Sequence, residues 1–344
     1  MLIPYIRSSL LGSYEICELK AFLIYSLGLK EKSGFSADSG TSVHKSLELL
    51  AQKKLAQQNG QVSIENEIFD SPFSVDSLDY ENAFTLGWEF CKKTMSHHKE
   101  WDDEEVKTKY RDMYYKLLSF DNESYNPLKL NIIQPEQYFD IQFQEDWARY
   151  EYIIGKEKFE GFLSVKGTMD LVFDNSGYLS GMDYKTGKSR VNWATGKTKY
   201  LDDFKEDKQL LLYSYAIKKL FNVDEFSIII YYLQAGGPFE VYFDNQTFKK
   251  AEGMIKDYFH KINSNFKPFL AANSSNPYNK RKCNWCDFNK IRPEVHKSKT
   301  VCRTFEDKII NLGMNKVIEK HADVSRVFTY GSGGGRGMDD KASK

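Results

Sequence analysis

Asp170, Asp183 and Lys185 are the residues best placed by type and spacing to do chemistry in this sequence. They flank Asp174-Asn175-Ser176-Gly177, a turn sequence suited to a hairpin. With Ser176 and Gly177 as the central turn residues, Asp170 faces Asp183 directly across the two strands. A three-residue turn would break that opposition. Opposed carboxylates repel unless a cation lies between them. Lys185 is two residues beyond Asp183, so strand alternation puts both on one face. Two hard oxygen ligands beside an ammonium suit Mg²⁺ or Mn²⁺, which lowers the pKa of bound water and draws phosphate charge. The lysine can orient a nucleophile or stabilise negative charge that builds on a phosphate. Asp-x-Lys by itself is common, and on spacing alone a surface hairpin with scattered charges is the better reading.

A second constellation is thiol-based. Cys283-Asn284-Trp285-Cys286 is a C-x-x-C knuckle, Cys302 follows, and Cys17 lies far upstream. Four thiolates suit tetrahedral Zn²⁺ or an iron–sulfur cluster, and knuckle spacing alone favours zinc. Five cysteines in 344 residues do not form a disulfide framework. Cys91 sits in an apolar helical stretch and reads as a buried apolar residue.

These groups need a scaffold, and the chain is long enough for one large domain or two modest ones. It is 41% hydrophobic and 15% aromatic, which excludes disorder across the whole chain. Forty-eight basic residues balance 48 acidic ones, which argues against polybasic nucleic-acid binding but allows local basic patches. No apolar run is long enough to span a bilayer. The start, Met-Leu-Ile-Pro-Tyr-Ile-Arg, has polar groups too early for a signal peptide, so a cytoplasmic chain without membrane contact is expected.

Helical spacing runs from Ser9 to Gly28. A loop is expected over Gly34 to Gly40, then a helix from Thr41 to about Leu55, with His44 bordering its apolar face. Ser71 to Ser124 reads as mostly helical, with the acidic run Asp102 to Glu105 as solvated surface. Strand patterns follow at 138–143, Phe162 to Phe173 and Tyr178 to Tyr184. Gln209 to Leu220 then reads as a helix and Glu225 to Leu233 as a strand. Strand–strand–helix–strand after helices predicts an α/β chain with a mixed sheet flanked by helices. The expected layout is one domain over 1–330, with a helical insertion at about 56–130 and a cysteine-rich segment at about 280–303. The Gly-rich residues 331–344 read as a flexible tail.

Asp183-Tyr184-Lys185-Thr186-Gly187-Lys188, preceded by Gly167-Thr168-Met169-Asp170, resembles the core motif of RecB-type nucleases in the PD-(D/E)XK superfamily. Further segments follow the order of that family. Residues 13–22 are similar to its N-terminal Cys-Pro-x-Lys-Phe stretch, with Glu18 replacing the proline. Gly40-Thr41-Ser42-Val43-His44 is similar to its Gly-x-x-x-His helix start, and Gln209-Leu210-Leu211-Leu212-Tyr213 to its Gln-x-x-x-Tyr helix. The resemblance implies a restriction-endonuclease-like fold and a metal-dependent DNA nuclease, an exonuclease hydrolysing phosphodiester bonds in recombination, repair or processing. It implies that His44, Asp170 and Asp183 bind Mg²⁺ or Mn²⁺, with the backbone carbonyl of Tyr184 completing the site. Lys185 is then the catalytic cation, and Gln209 and Tyr213 line the cleft. Gln209 and Tyr213, four residues apart, share a helix face, which a buried Tyr hydrogen-bonded to a Gln would also satisfy. Glu136, ahead of the first strand, stands where relatives often have an acid.

The cysteine order, one N-terminal and three C-terminal, resembles AddB-like and CRISPR-adaptation nucleases. That resemblance implies a 4Fe-4S cluster on Cys17, Cys283, Cys286 and Cys302, with zinc as the alternative. The spacer before Cys302 is longer than usual, which makes His296 a substitute ligand to consider. Such a site would staple the chain ends around the core. Two basic stretches flank these features: Lys185, Lys188, Arg190, Lys197 and Lys199, then Lys280, Arg281, Lys282, Lys290, Arg292, Lys297 and Lys299. They suit a DNA backbone, and Trp193 and Trp285 could stack on unpaired bases. No P-loop is present, so the chain itself is not expected to hydrolyse ATP, and a helicase or recombination protein is a candidate partner. The competing readings are an inactive nucleic-acid-binding protein with the same core and a zinc-knuckle interaction module. The intact Asp170, Asp183 and Lys185 argue against the first.

Overall fold

Alternating apolar residues and left-handed turn residues build a long hairpin at the centre of the chain, and the other elements pack around it. The structure is a computed structural model and describes residues 1–187, 190–191, 196–275 and 277–329. The chain opens with β1 (Tyr5–Ile6), α1 (Ser8–Ile16) and α2 (Glu18–Ala21), followed by a π-helical turn at Phe22–Ser26. The helical spacing expected from Ser9 to Gly28 is therefore interrupted at Cys17, whose backbone is extended. Next come α3 (Phe35–Gln58), the short strands β2 (Ser63–Ile64) and β3 (Phe73–Ser74), α4 (Tyr80–Thr94) and α5 (Glu104–Ser119). Helix α3 begins six residues before Thr41, so the loop expected at Gly34 to Gly40 is helix from Phe35. Asp38 in its first turn suits the positive end of the helix dipole. Asp103 in the acidic run caps α5, accepting from the amides of Glu105 and Val106.

The sheet strands are β4 (Asn131–Gln142), β7 (Ser164–Asn175), β8 (Tyr178–Lys185), β9 (Phe226–Tyr232) and β10 (Phe239–Phe243). A separate hairpin pairs β5 (Arg149–Ile154) with β6 (Glu157–Phe162). Phe162 thus ends β6, and the strand expected from it starts at Ser164. Strand β4 starts well before Tyr138 and runs through Pro135, which a strand paired on one side only accommodates. It is antiparallel to β7 over nearly the whole length of β7, so β1 and β8 share the other edge of β7. β1 takes Ser164 and Val165, and β8 takes Leu171 to Asn175. Strand β8 continues parallel to β9, and β10 closes the order antiparallel to β9.

Short α6 (Leu201–Phe204) leads into α7 (Lys208–Phe221), and α8 (Asn245–Asn263) follows β10. The chain ends with α9 (Pro277–Lys282), α10 (Val301–Leu312), α11 (Met314–His321) and α12 (Val324–Thr329). One apolar cluster joins α1, α7, α8 and α10 to Val165, Met169 and Val172 of β7. A second joins α3, α4 and α5 to Leu171 and Phe173 of β7 and Met182 and Tyr184 of β8. The sheet is thus packed on both sides, the α/β architecture expected. Strict alternation would put Met169 and Leu171 in the same layer, and the switch between them falls at Asp170. Among the described residues no helix is long and apolar enough to cross a membrane.

Candidate active site

The central hairpin closes through two left-handed residues, Ser176 (φ 58°) and Gly177 (φ 90°), with the Gly177 amide donating to Asp174 Oδ1 at 2.6 Å. Such a two-residue turn matches strand twist and fixes the pairing. Asn175 pairs with Tyr178 and Leu171 with Met182, so Asp170 and Asp183 are next in register. At that point the pairing of β8 with β7 ends, while its pairing with β9, begun at Ser180, continues through Asp183 with Ile230 to Lys185 with Tyr232. The fork is closed by a side chain: Asp170 Oδ2 accepts the Tyr184 amide at 2.6 Å.

The other Asp170 oxygen, Oδ1, lies 3.1 Å from His44 Nδ1. His44 is set by α3, whose Gly40 passes against β8. A Cβ at Gly40 would meet Thr186 Oγ1 at 2.4 Å, so a larger residue there needs the Thr186 side chain to turn away or the helix to shift. Burial works to raise the Asp170 pKa, but His44, Lys185 and the Tyr184 amide together leave its carboxyl below the usual range.

Asp183 is 3% exposed and faces α7. Its Oδ1 lies 2.9 Å from Gln209 Nε2 and 3.0 Å from the Tyr213 hydroxyl, and its Oδ2 is ion-paired with Lys185. Gln209 Oε1 accepts from Lys185 Nζ at 3.0 Å, so one amide spans the Lys–Asp pair. The Tyr213 hydroxyl accepts from Gln209 Nε2 at 2.7 Å, and its single proton faces Asp183 or the Thr168 carbonyl at 2.9 Å. Burial keeps Tyr213 protonated, and burial holds the Asp183 carboxyl above its usual range against the pull of Lys185, with Asp170 adding to the rise. Asp207 caps α7 and fixes the position of Gln209, accepting its amide at 2.9 Å. An Asp two residues before the Gln-x-x-x-Tyr stretch is a helix-start signal readable in the sequence.

The residues therefore meet in two linked groups, His44 with Asp170 and Asp183 with Lys185, Gln209 and Tyr213. Because Asp183 turns to Lys185 and α7, its oxygens do not lie within 4.8 Å of both the His44 and Asp170 donor atoms. Glu136 is not ahead of the first strand. It lies inside β4, with a left-handed backbone (φ 43°), in register opposite Asp170.

The cysteines come together from both ends of the chain. The Cys17 Sγ accepts the Ala271 amide at 3.4 Å. Cys302 sits in the first turn of α10, Cys283 opens a 3-10 turn and Cys286 follows it. Burial raises the Cys17 thiol, and Cys302 adds to the rise. Burial also raises Cys283, with Cys17 and Cys302 as charged neighbours, and pushes Cys286 up to about 11. No three of these sulfurs lie within 4.8 Å of one another. His296 uses Nδ1 to accept the amides of Ser298 and Lys299. Cys91 is fully buried on α4, and burial pushes its thiol up to about 12.

Several of the basic residues are held by acids: Lys199 by Asp207, Lys290 and Arg292 by Asp287, and Lys299 by Asp307. Trp285 is 88% exposed. Lys188, Trp193 and the tail lie outside the described residues.

The sequence matches the family described as the PD-(D/E)XK nuclease superfamily over residues 8–291, most of the chain. The chain belongs to that superfamily. Its mixed sheet flanked by helices is the PD-(D/E)XK fold, and the match makes it a nuclease-superfamily protein. No curated protein matches it. Among solved structures, it is similar to a Eubacterium rectale protein provisionally named an exonuclease, at 9% identity and a TM-score of 0.46, covering 79% of this chain and 86% of that one. It is also similar to SSO0001, at 14% identity and a TM-score of 0.26, covering 72% of this chain and 95% of that one. In this PD-(D/E)XK protein Asp183 and Lys185, an Asp-x-Lys in the sequence, form an ion pair beside the fork.

Proposed function

We propose that this PD-(D/E)XK protein is a divalent-metal-dependent deoxyribonuclease that hydrolyses phosphodiester bonds from DNA ends. The observation that carries the reading is the Asp183–Gln209–Lys185 network beside the His44–Asp170 pair, at the fork between β7 and β8. A solvated surface hairpin has no reason to bury Asp183 against a glutamine and a tyrosine with a lysine and a second acid beside it. The donor set fits a hard cation. The His44 and Asp170 donor atoms, 3.1 Å apart, are spaced like adjacent ligands on one ion with bonds of roughly 2.1 Å. Asp183 is a buried carboxylate beside a second one, a pair that an added cation would stabilise.

His44, Asp170 and Asp183 would hold Mg²⁺ or Mn²⁺, with the Tyr184 carbonyl alongside. When bound, the cation supplies a water of lowered pKa and draws charge from the phosphate. Lys185 is positioned by Gln209 to orient the nucleophile or to meet the negative charge that builds on the phosphate. Tyr213 and Gln209 hold Asp183 in its orientation. Glu136, opposite Asp170, adds an acid at the same fork.

The cysteines would hold a 4Fe-4S cluster of structural role, as in AddB-like and CRISPR-adaptation nucleases. Mononuclear zinc with bonds of about 2.3 Å needs sulfurs within roughly 4 Å of one another, whereas a cluster accepts wider spacing. What supports a shared site is that Cys17, Cys283 and Cys302 act on one another as charged neighbours. The chain is read as one nuclease domain over 1–330 with a helical insertion at about 56–130. A helicase or recombination partner would feed it DNA.

The test is digestion of end-labelled linear single- and double-stranded DNA, with circular controls, in Mg²⁺, Mn²⁺ or chelator. Loss of linear DNA alone, stopped by chelator, is expected. Cleavage of circles would replace the end preference, and no cleavage of any DNA in either metal would overturn the nuclease reading.

A further inference from the structure

The first turn of α3 and the turn after α4 bring together a second group of metal-ligating side chains, away from the His44–Asp170 pair. Asp38 is 5% exposed, and its Oδ2 accepts from Ser33 Oγ at 2.7 Å. His98 Nε2 lies 2.8 Å from that same oxygen, and His97 Nε2 lies 3.9 Å from it. One ligand atom from each of the three residues falls within 4.8 Å of the others. The two imidazoles pack with centroids 3.9 Å apart. A His98–Asp38 hydrogen bond accounts for one of these rings. It does not account for His97, whose nitrogen lies near the same carboxylate beyond hydrogen-bond distance and beside a like ring.

The geometry points to a separate binding site for a zinc-class divalent cation, held by Asp38, His97 and His98. Bonds of about 2.0–2.2 Å put neighbouring ligands roughly 3–3.5 Å apart, and the observed 2.8 and 3.9 Å bracket that spacing. Two imidazoles and one carboxylate favour zinc-class ions over Mg²⁺, whose sites are built of oxygen. His97 is half-exposed, and a cleft of about 350 Å³ opens beside His98, so ion and water can reach the site. The ion would tie the start of α3 to the end of α4, over the cluster in which Phe35 meets His98 and Trp101 edge-on. The same helix α3 carries His44, so the tie would anchor that helix from its first turn.

The test equilibrates the full chain with Zn²⁺ alone, removes unbound ion, and measures metal content and melting temperature. His97→Ala is the main variant, His98→Ala the second, and Asp183→Ala the control. The expected result is one zinc fewer per chain in His97→Ala than in the parent, with its zinc-free melting temperature unchanged and its zinc-induced rise reduced. His98→Ala, where it folds, shows the same loss, and the double variant His97→Ala/Asp183→Ala carries one zinc fewer than Asp183→Ala. Equal zinc in the parent and His97→Ala would overturn the site. Equal zinc in Asp183→Ala and the double variant would assign the ion lost in His97→Ala to the β7–β8 fork and overturn the site as well.

Discussion

The Tyr184 amide donates to Asp170 Oδ2 at 2.6 Å, so a side chain takes the place of the next ladder bond where β8 leaves β7. The contact ties Asp170 to the backbone between Asp183 and Lys185. It also leaves Asp183 free to face α7 and Oδ1 of Asp170 free to face α3.

Asp183→Ala and Lys185→Ala are expected to lower cleavage by at least about 10²–10³-fold, the usual cost of removing one preorganised charge. DNA affinity should remain within a few-fold, because neither change removes a broad contact surface. Single-turnover cleavage alongside an equilibrium binding titration checks this. Substantial cleavage by highly purified variant would sink the assignment.

His44→Ala should weaken the cation and not the fold. Raising Mn²⁺ should therefore restore part of the lost activity, while the melting temperature stays near that of the parent. A variant that melts early and ignores Mn²⁺ would make His44 a structural residue. Metal titration alongside thermal melts separates the outcomes.

Gly40→Ala should destabilise the protein by up to about 2 kcal/mol, the overpacking cost of about 1–3 kcal/mol less the roughly 0.5–1 kcal/mol that Ala gains over Gly inside a helix. The added carbon would meet Thr186 Oγ1 at 2.4 Å. Pairing it with Thr186→Ala should recover most of the loss, because the obstructing atom is gone. Equal stability of the single and double variants, in urea melts, would show that α3 shifts freely and that the close approach does not matter.

Cys17→Ser should bleach the brown colour of anaerobically prepared protein and loosen the C-terminal segment to proteases. Parent protein should carry roughly four irons per chain, the content of one 4Fe-4S cluster. Cys91→Ala should keep the colour. With its pKa pushed up to about 12, native Cys91 should also resist alkylation at pH 8, where only about one thiol in ten thousand is ionised. Colourless parent protein with bound zinc would replace the cluster while keeping the staple.

Much of the site was legible along the chain because it depends on local periodicity. A two-residue turn and strand alternation place Asp170, Asp183 and Lys185, and a spacing of four puts Gln209 and Tyr213 on one helix face. The strand at Tyr178 and the helix at Gln209 were readable for the same reason, since each repeats a pattern within a few residues. The start of α3 and the first half of β4 were not legible. Glycines and a proline mask them locally, and packing against the sheet and pairing with β7 override the local signal. Nor could sequence show that Asp183 turns to Lys185 and α7, which follows from β8 parting from β7.

Sequence by itself determined which residue types are present and how each local element repeats, because backbone periodicity is a property of near neighbours. Tertiary structure alone decided that Asp38 meets His97 and His98, and it brings Cys17 towards Cys283 and Cys302, a grouping that only the family resemblance had implied. Those contacts join residues tens to hundreds of positions apart. No local pattern encodes them, because they form only when distant helices are buried against one sheet.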